Sequence, residues 1–200
     1  ITQLANLSWK DFAAFQLSRQ GMMSSKPIEQ LVRRFIGKKK FKDLRIPFKA
    51  LATDIISGNG VELDDPELEL AEAIRASASF PGVYSPMEIN GITYIDGGAA
   101  ANVPSATVKS MGAEAVIAVD VIPVVQLTHV PKHIAFVVDR GLDLLLQGVA
   151  IHHLEHADIV LKPIKEYCNS FQVKRSRHLV EWGFQAVEVN IDKIKDIVYG

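Results

Sequence analysis

The feature that most constrains the fold is the run Ala115–Val121, which is almost entirely apolar. Such a run is typical of a parallel strand that is covered on both faces. A second strand-like run, Asp158–Leu161, follows a segment from His133 to His156 that has the length of a long helix. Strands that alternate with helices favour an α/β fold with a mostly parallel sheet flanked by helices. We therefore predict a single α/β domain over residues 1–200.

Other segments predict further helices and strands on either side of these runs. Residues 1–36 are expected to form helices broken by loops, and Gly37 ends the last of them. Ile46–Ile56 is predicted to be a buried strand that enters a turn at residues 57–60. The remaining predicted elements are a short strand at Val61–Leu63, a helix at Glu67–Ser77, a helix between Pro104 and Gly112, and two helices at Ser176–Asn190 and Ile191–Val198.

A predicted hairpin leads to the most informative side chain, Asp96. Asn90-Gly91 lies between the strand-like runs Met87–Ile89 and Ile92–Ile95, which is a strong signal for a two-residue hairpin. Asp96 ends the second run and precedes Gly97-Gly98, where the backbone can turn sharply and be approached closely. A carboxylate placed there can act as a general base. The alternative, which spacing alone favours, is a turn aspartate that bonds its own backbone.

Composition argues against nucleic-acid binding. Hydrophobic residues make up 48% and charged residues 22% of the chain, which is typical of a globular protein. The formal net charge is -1, so no strong field favours a nucleic-acid partner. The run Lys38-Lys39-Lys40, followed by Lys42, is typical of a solvated loop. Its alternative role is a weak contact with an anionic membrane surface.

Cysteine content and hydropathy bear on the cellular location of the protein. Cys168 is the single cysteine, which excludes an internal disulfide and fits a reducing compartment. We find no uncharged apolar stretch of about eighteen residues, so we expect no membrane-spanning helix. No secretory leader is recognisable. We therefore expect a cytoplasmic protein, with peripheral membrane contact as a further option.

Around Asp96 the sequence resembles the patatin-like phospholipases, in their bacterial-type branch. The resemblance centres on the Asp-Gly-Gly block at Asp96–Gly98 and extends over most of the chain, more weakly downstream. The segments that carry it are Trp9–Phe12, Phe41–Pro47, Ala52–Asp54, Ala73–Gly82, Tyr94–Gly98, Asn102–Pro104, Met111–Asp120 and Ala157–Pro163.

The resemblance implies a patatin-like three-layer α/β/α fold and a serine acyl hydrolase with a Ser–Asp dyad. The family's serine lies in a Gly-x-Ser-x-Gly elbow, and a glycine-rich loop donates N–H groups to the oxyanion. Asp96 then corresponds to the base, and Gly97 and Gly98 complete its motif. The implied substrate is an acyl ester or lipid, with no metal or organic cofactor. An aspartate is a weak base, with an ordinary pKa of about 3.9, unless desolvation raises it.

The chain departs from the family pattern at the nucleophile. No two of its glycines lie four positions apart, so Gly-x-Ser-x-Gly is absent, and a glycine triplet is absent as well. We therefore expect a C-terminal part of a longer protein that lacks the N-terminal strands of the fold, the serine and the oxyanion donors. Such a chain should be inactive and poorly stable alone. Ser77 and Ser79 are expected to make local hydrogen bonds at a helix end rather than to act as nucleophiles.

Three other interpretations remain open. His152 and His156, with His153 between them, have the spacing of two metal ligands on one helix, although a polar helix end explains them equally. Gly58 and Gly60 supply only half of a dinucleotide-binding turn. The protein could also be a non-catalytic binding or regulatory protein on the same fold. In either class an apolar wall for an acyl chain is conceivable, or plain core, at Met22, Met23, Phe80 and Tyr84.

Overall fold

The computed structural model describes residues 14–18, 21–122, 125–168 and 175–200. These residues form two compact units, one reaching to Asn102 and the other starting at Val103. Helices and sheets occur in both units, which confirms the predicted mixed α/β class. The prediction of a mostly parallel sheet is wrong for the first unit, where the strands pair antiparallel. The assignment of residues 1–200 to one domain stays a prediction.

The first unit is built on a sheet made of two joined hairpins. One hairpin contains β3 (Ala50–Asp54) and β4 (Gly60–Leu63), and the other β5 (Met87–Ile89) and β6 (Ile92–Asp96). Strands β3 and β6 pair with each other, which gives the order β4-β3-β6-β5. In the second hairpin Asn90-Gly91 has φ of 51° and 80°, as a two-residue turn of this type requires. The predicted hairpin at Asn90-Gly91 is thus confirmed, and β4 confirms the short strand predicted at Val61–Leu63.

A helix with small side chains covers this sheet. It is α2 (Leu70–Ser77), and its buried alanines allow its backbone to lie close to β3 and β6. Burial of this apolar set is the main favourable contribution to the folding of the unit. The buried core consists of Phe41, Ala50, Ala52, Leu63, Leu70, Ala73, Ala76, Met87 and Tyr94.

The N-terminal part differs from the expectation of helices. Residues Ala14–Ser18 form strand β1, which pairs antiparallel with β2 (Gly21–Ser24). The other edge of β2 bonds to residues 83–85 through the main chain of Met23. These distant backbone partners override the local helical signal. The predicted helix is confirmed as α1 (Lys26–Ile36), whereas residues 1–13 lie outside the described part.

Several predicted boundaries are corrected by local turns. The strand predicted over Ile46–Ile56 is shorter in the structure, where only β3 forms. The predicted end residues Ile46 and Ile56 are 78% and 87% exposed. The turn after β3 begins at Asp54, whose carboxylate accepts hydrogen bonds from the Ile56 N–H and the Ser57 hydroxyl. Helix α2 begins three residues later than predicted. The predicted end of α1 is confirmed, since Gly37 has φ of 68° and donates its N–H to Arg33.

The second unit contains a parallel strand pair. Strand β7 (Ile117–Val119) pairs in parallel with β8 (Ile159–Leu161), and α5 (Ile134–Leu154) lies between them in the sequence. This is the connection that parallel strands require. The expectation that β7 is covered on both faces is wrong. Ile117 and Val119 are 42% and 51% exposed, whereas Ala118 between them is buried.

Of the remaining helices, the sequence predicted all but the short one at Gly98–Ala101. Helix α3 (Gly98–Ala101) follows β6, and α4 (Ser105–Ser110) starts directly after Pro104, with Gly112 in the left-handed conformation beyond its end. Two further helices close the chain, α6 (Ser176–Val189) and α7 (Ile191–Tyr199). Among the described residues, no helix is long and apolar enough to cross a membrane.

Candidate active site

Asp96 is held by main-chain hydrogen bonds at the end of β6. It pairs with Ala52 on β3, and its N–H donates to the carbonyl of Ser79 at 3.0 Å. Its own carbonyl accepts a hydrogen bond from Thr53 Oγ1 at 2.9 Å. The next N–H, that of Gly97, donates to the carbonyl of Ser77 at 3.3 Å. The residue is therefore fixed by both β3 and the end of α2.

The Asp96 carboxylate has one oxygen engaged and one available. Oδ1 accepts a hydrogen bond from the N–H of Gly98 at 2.7 Å, the first residue of α3. Oδ2 has no hydrogen-bond partner among the residues that the structure describes. Burial raises the pKa of this carboxyl, and the Gly98 N–H opposes the rise to a smaller extent. The alternative of a turn aspartate that bonds its own backbone is thus observed, whereas the role of Asp96 as a base stays a prediction.

Gly97 is a glycine because another backbone lies against it. A Cβ at this position would lie 2.6 Å from the carbonyl carbon of Leu51 on β3, closer than real Cβ atoms come. Its φ of -66° is open to any residue, so the constraint is steric. The group that approaches it is therefore β3, and not a ligand. The contribution of Gly98 is its N–H, which orients the carboxylate.

The part of the chain that contains Asp96 matches a known protein family. The model of the patatin-like phospholipase family matches residues 4–108, just over half of the chain, and this range contains Asp96–Gly98. The chain belongs to the patatin-like phospholipase family.

Curated relatives of this patatin-like chain are described as uncharacterized NTE family proteins. They come from Mycobacterium bovis and from two strains of Mycobacterium tuberculosis, and each is 35% identical over 103 residues. The match covers 52% of this chain and 28% of each relative. The chain thus matches little more than a quarter of the length of these relatives.

Two serines of the patatin-like chain bond through their main chains to Asp96 and Gly97 and have structural roles. Ser79 is fully buried, and its Oγ donates to the carbonyl of Arg75 at 2.8 Å. Ser77 presents its carbonyl to the N–H of Gly97. The Ser79 bond is the local helix-end bond that the sequence predicts for serine, whereas the Ser77 contact is made by its main chain with a residue distant in the sequence.

Sequence reasoning missed a group of polar residues beside α2. The Arg75 guanidinium donates to Ser25 Oγ at 2.9 Å and to Glu29 Oε2 at 2.8 Å. Ser25 is fully buried, and the arginine side chain is only 13% exposed. Arg75 and Thr53 both lie inside the segments that resemble the family, which is the one signal that could have found them.

The predicted apolar wall is brought together in part. Met23 on β2 forms a parallel bridge with Tyr84 and is buried. Phe80 and Tyr84 are half-buried, and burial raises the pKa of Tyr84. The Met22 side chain lies outside the described residues. Met23 therefore belongs to the packed interior, as the plain-core alternative predicts.

The histidine cluster does not gather into a ligand set. His152 and His156 are exposed at the end of α5. Within the described ranges, no group of three or more histidine, cysteine, aspartate or glutamate side chains is placed to hold a metal ion. Cys168 is present as a free thiol.

Proposed function

We propose that this chain supplies the base of a serine acyl hydrolase of the Ser–Asp dyad type, which acts on acyl esters of lipids. The base is Asp96, and Gly97 and Gly98 shape its position. The observation that carries the proposal is the Asp96 carboxylate. Its Oδ1 accepts an N–H, its Oδ2 has no hydrogen-bond partner within the described part of the chain, and it lies in the motif where the resemblance implies the catalytic aspartate.

In this mechanism Asp96 accepts the proton of the serine hydroxyl as the serine oxygen attacks the ester carbonyl. The alcohol leaves with the proton that Asp96 took from the serine, and an acyl-enzyme remains. Asp96 then takes a proton from water as the water oxygen attacks the acyl-enzyme, and it returns this proton to the serine oxygen when the acid is released. Burial of Asp96 supports this role, because a raised pKa brings a carboxylate closer to the optimum for a base near neutral pH.

The nucleophile of the proposed enzyme lies outside these residues. The 200-residue sequence contains no Gly-x-Ser-x-Gly elbow and no glycine triplet for the oxyanion. The curated relatives are also much longer than the matched region. We therefore expect the full-length protein to be active and the 200-residue chain to be inactive, with no metal or organic cofactor in the reaction.

We place the enzyme in the cytoplasm, with peripheral contact to lipid and no nucleic-acid partner. The lysine run offers limited support for the contact. Lys40 and Lys42 pair with Glu67 at 2.9 Å and 2.7 Å, whereas Lys38 and Lys39 are exposed. Membrane attraction therefore depends on these two exposed lysines, each of which adds about 1 kcal/mol near an anionic surface.

The test of the base is Asp96→Asn in the full-length protein, assayed with a p-nitrophenyl ester. We expect kcat to fall about 10²- to 10⁴-fold, the usual contribution of a general base. The matched control is Asp54→Asn, which makes the same change at the end of the neighbouring strand. Near-normal turnover by Asp96→Asn would contradict the proposal.

A binding or regulatory protein on this fold is the second candidate, favoured by the absence of the elbow motif in this sequence. An active-serine probe on the full-length protein separates the two. Covalent labelling of one serine, together with ester turnover, supports the enzyme. Binding of lipid without labelling or turnover supports the binding protein.

A further inference from the structure

We propose that the buried hydroxyls of Thr53 and Ser79 position Asp96 for proton transfer. The inference rests on the proposed function, since it assigns two positioning residues to the same carboxylate. Neither hydroxyl contacts the reacting atoms. Each acts on Asp96 through the main chain, and each holds a different side of the residue.

Ser79 holds the N–H side of Asp96. Its carbonyl accepts a hydrogen bond from the Asp96 N–H at 3.0 Å. The position of this carbonyl therefore fixes where the end of β6 lies relative to α2. The Ser79 hydroxyl in turn donates to the carbonyl of Arg75 at 2.8 Å, one helical turn earlier. This bond ties Ser79 to the end of α2 at a site with no exposure to solvent.

Thr53 holds the carbonyl side. Its Oγ1 donates to the Asp96 carbonyl at 2.9 Å, and the residue is 4% exposed. Because Thr53 pairs with Ile95 on the adjacent strand, its hydroxyl bond is added to the β3–β6 ladder. Asp96 is thus bonded on its N–H and on its carbonyl by groups of two buried residues.

The end of α2 is itself anchored, so Ser79 bonds to a rigid support. The Arg75 guanidinium bridges Ser25 Oγ and Glu29 Oε2 at 2.9 Å and 2.8 Å. The side chains of Arg75 and Glu29 are each 13% exposed. Because solvent competes little here, these bonds restrain the carbonyl that the Ser79 hydroxyl reaches.

Such restraint matters for a base because proton transfer depends on distance and alignment. A displacement of about 1 Å lowers the rate roughly 10²-fold. The same placement leaves the carboxylate partly buried. Charged groups lie on each element packed against β6, namely Asp54 on β3, Glu88 on β5, and Glu72 and Arg75 on α2, but burial is the main cause of the raised Asp96 pKa.

The experiment compares Ser79→Ala and Thr53→Val in the full-length protein with the same p-nitrophenyl ester. Each substitution removes one hydroxyl and nearly preserves side-chain shape. We expect kcat to fall about ten- to a hundredfold with KM unchanged, because the substrate contacts remain. The acid limb of the kcat profile should also move to lower pH, because a loosened, wetter carboxylate has a lower pKa. A purely structural role would lower the unfolding temperature without moving the acid limb.

The control is Ser110→Ala, which removes a 2.8 Å hydroxyl-to-carbonyl bond to Thr107 at the end of another helix and should leave kcat unchanged. If Ser79→Ala and Thr53→Val match this control while Asp96→Asn is inactive, the positioning role is wrong and the proposed function stands. If Asp96→Asn is active, the proposed function itself fails. Should one variant not fold, the other decides, because the two bonds hold different sides of Asp96.

Discussion

At the scale of single residues, the candidate site depends on how close two backbones come. Gly97 is buried between β6 and α3, where the main chain of Leu51 takes the space that a side chain would need. This closeness allows the Thr53 hydroxyl and the Ser79 carbonyl to reach Asp96 together. The glycine after the aspartate is therefore required for packing, whatever chemistry the carboxylate performs.

Gly97→Ala should destabilise the protein by about 1–3 kcal/mol, because the added methyl forces the backbones of β3 and β6 apart. Urea unfolding of the variant measures the loss. The matched control is Gly183→Ala, in α6, where a Cβ meets nothing within 4 Å. That change should be neutral or should stabilise the helix by up to about 1 kcal/mol. Equal effects at the two positions would contradict the steric explanation.

Asp143, in the second unit, provides a prediction of pH dependence. Its Oδ2 is buried without a hydrogen-bond partner in the described residues. Burial, followed by the nearby negative charge of Asp139, raises its pKa to about 6, against a smaller opposing effect of Arg140. Since this value exceeds the unfolded pKa of about 3.9, the folded state binds the proton more tightly. The destabilisation that the buried Asp143 carboxylate causes therefore decreases as pH falls from about 7 to about 4.

Asp143→Asn removes the free-energy cost of burying a charged carboxylate, which depends on pH. The variant should be more stable than the parent protein at about pH 7, and the difference should vanish towards about pH 4, where the parent carboxyl is protonated in both states. Urea unfolding midpoints across this range provide the measurement. A stabilisation that does not change with pH, or one that grows in acid, would exclude the buried carboxyl as its cause.

At the scale of elements, a shared carboxylate joins two helices of the first unit. Glu29 on α1 pairs with Arg33 at 2.5 Å on its own helix and with Arg75 on α2 at 2.8 Å. Arg33 continues the chain of ion pairs to Glu69 at 2.8 Å, just before α2 begins. Because the Glu29–Arg75 pair is poorly exposed, removing one partner should cost more than it does for the surface pairs elsewhere in the unit.

Glu29→Gln should lower the free energy of unfolding by about 1–3 kcal/mol, because two guanidinium groups lose their shared partner in a poorly solvated place. Thermal or urea unfolding provides the measurement. The control, Glu62→Gln, affects a more exposed pair with Lys49 and should leave the unfolding midpoint unchanged. If the two variants behave alike, the pair between the helices contributes no more than a surface pair.

At the scale of the whole molecule, the second unit exposes apolar side chains on β7 and α5. Alternate residues of β7, Ile117 and Val119, face solvent, as do Leu145 and Ile151 on α5. Exposed apolar side chains on a strand favour association between chains. The expectation that the 200-residue chain is poorly stable alone stays a prediction.

Replacing Ile117 and Val119 together by threonine should reduce aggregation of the 200-residue chain and its binding of a hydrophobic dye. Threonine keeps the β-branched shape that suits a strand while adding a polar group on the exposed face. The control is Ala118→Thr on the buried face of the same strand, which should lower stability by overpacking. Unchanged dye binding in the double variant would contradict the role of this face.

The sequence by itself determined the features that depend on neighbouring residues. Asn90-Gly91 specified its turn because both positions need a positive φ, and Gly37 and Gly112 marked helix ends for the same reason. The Asp-Gly-Gly block identified Asp96 as the candidate base through its resemblance to a family. The absence of the elbow motif was also readable directly, because it is a matter of spacing.

Only the tertiary structure decided which segments pair and which faces are covered. Strand β1 replaced a predicted helix because β2 bonds to residues 83–85, far along the chain. The support of Asp96 by Thr53 and Ser79 likewise joins residues 43 and 17 positions apart. Hydrogen bonds and burial of this kind depend on distant partners, and local patterns in the sequence carry no information about those partners.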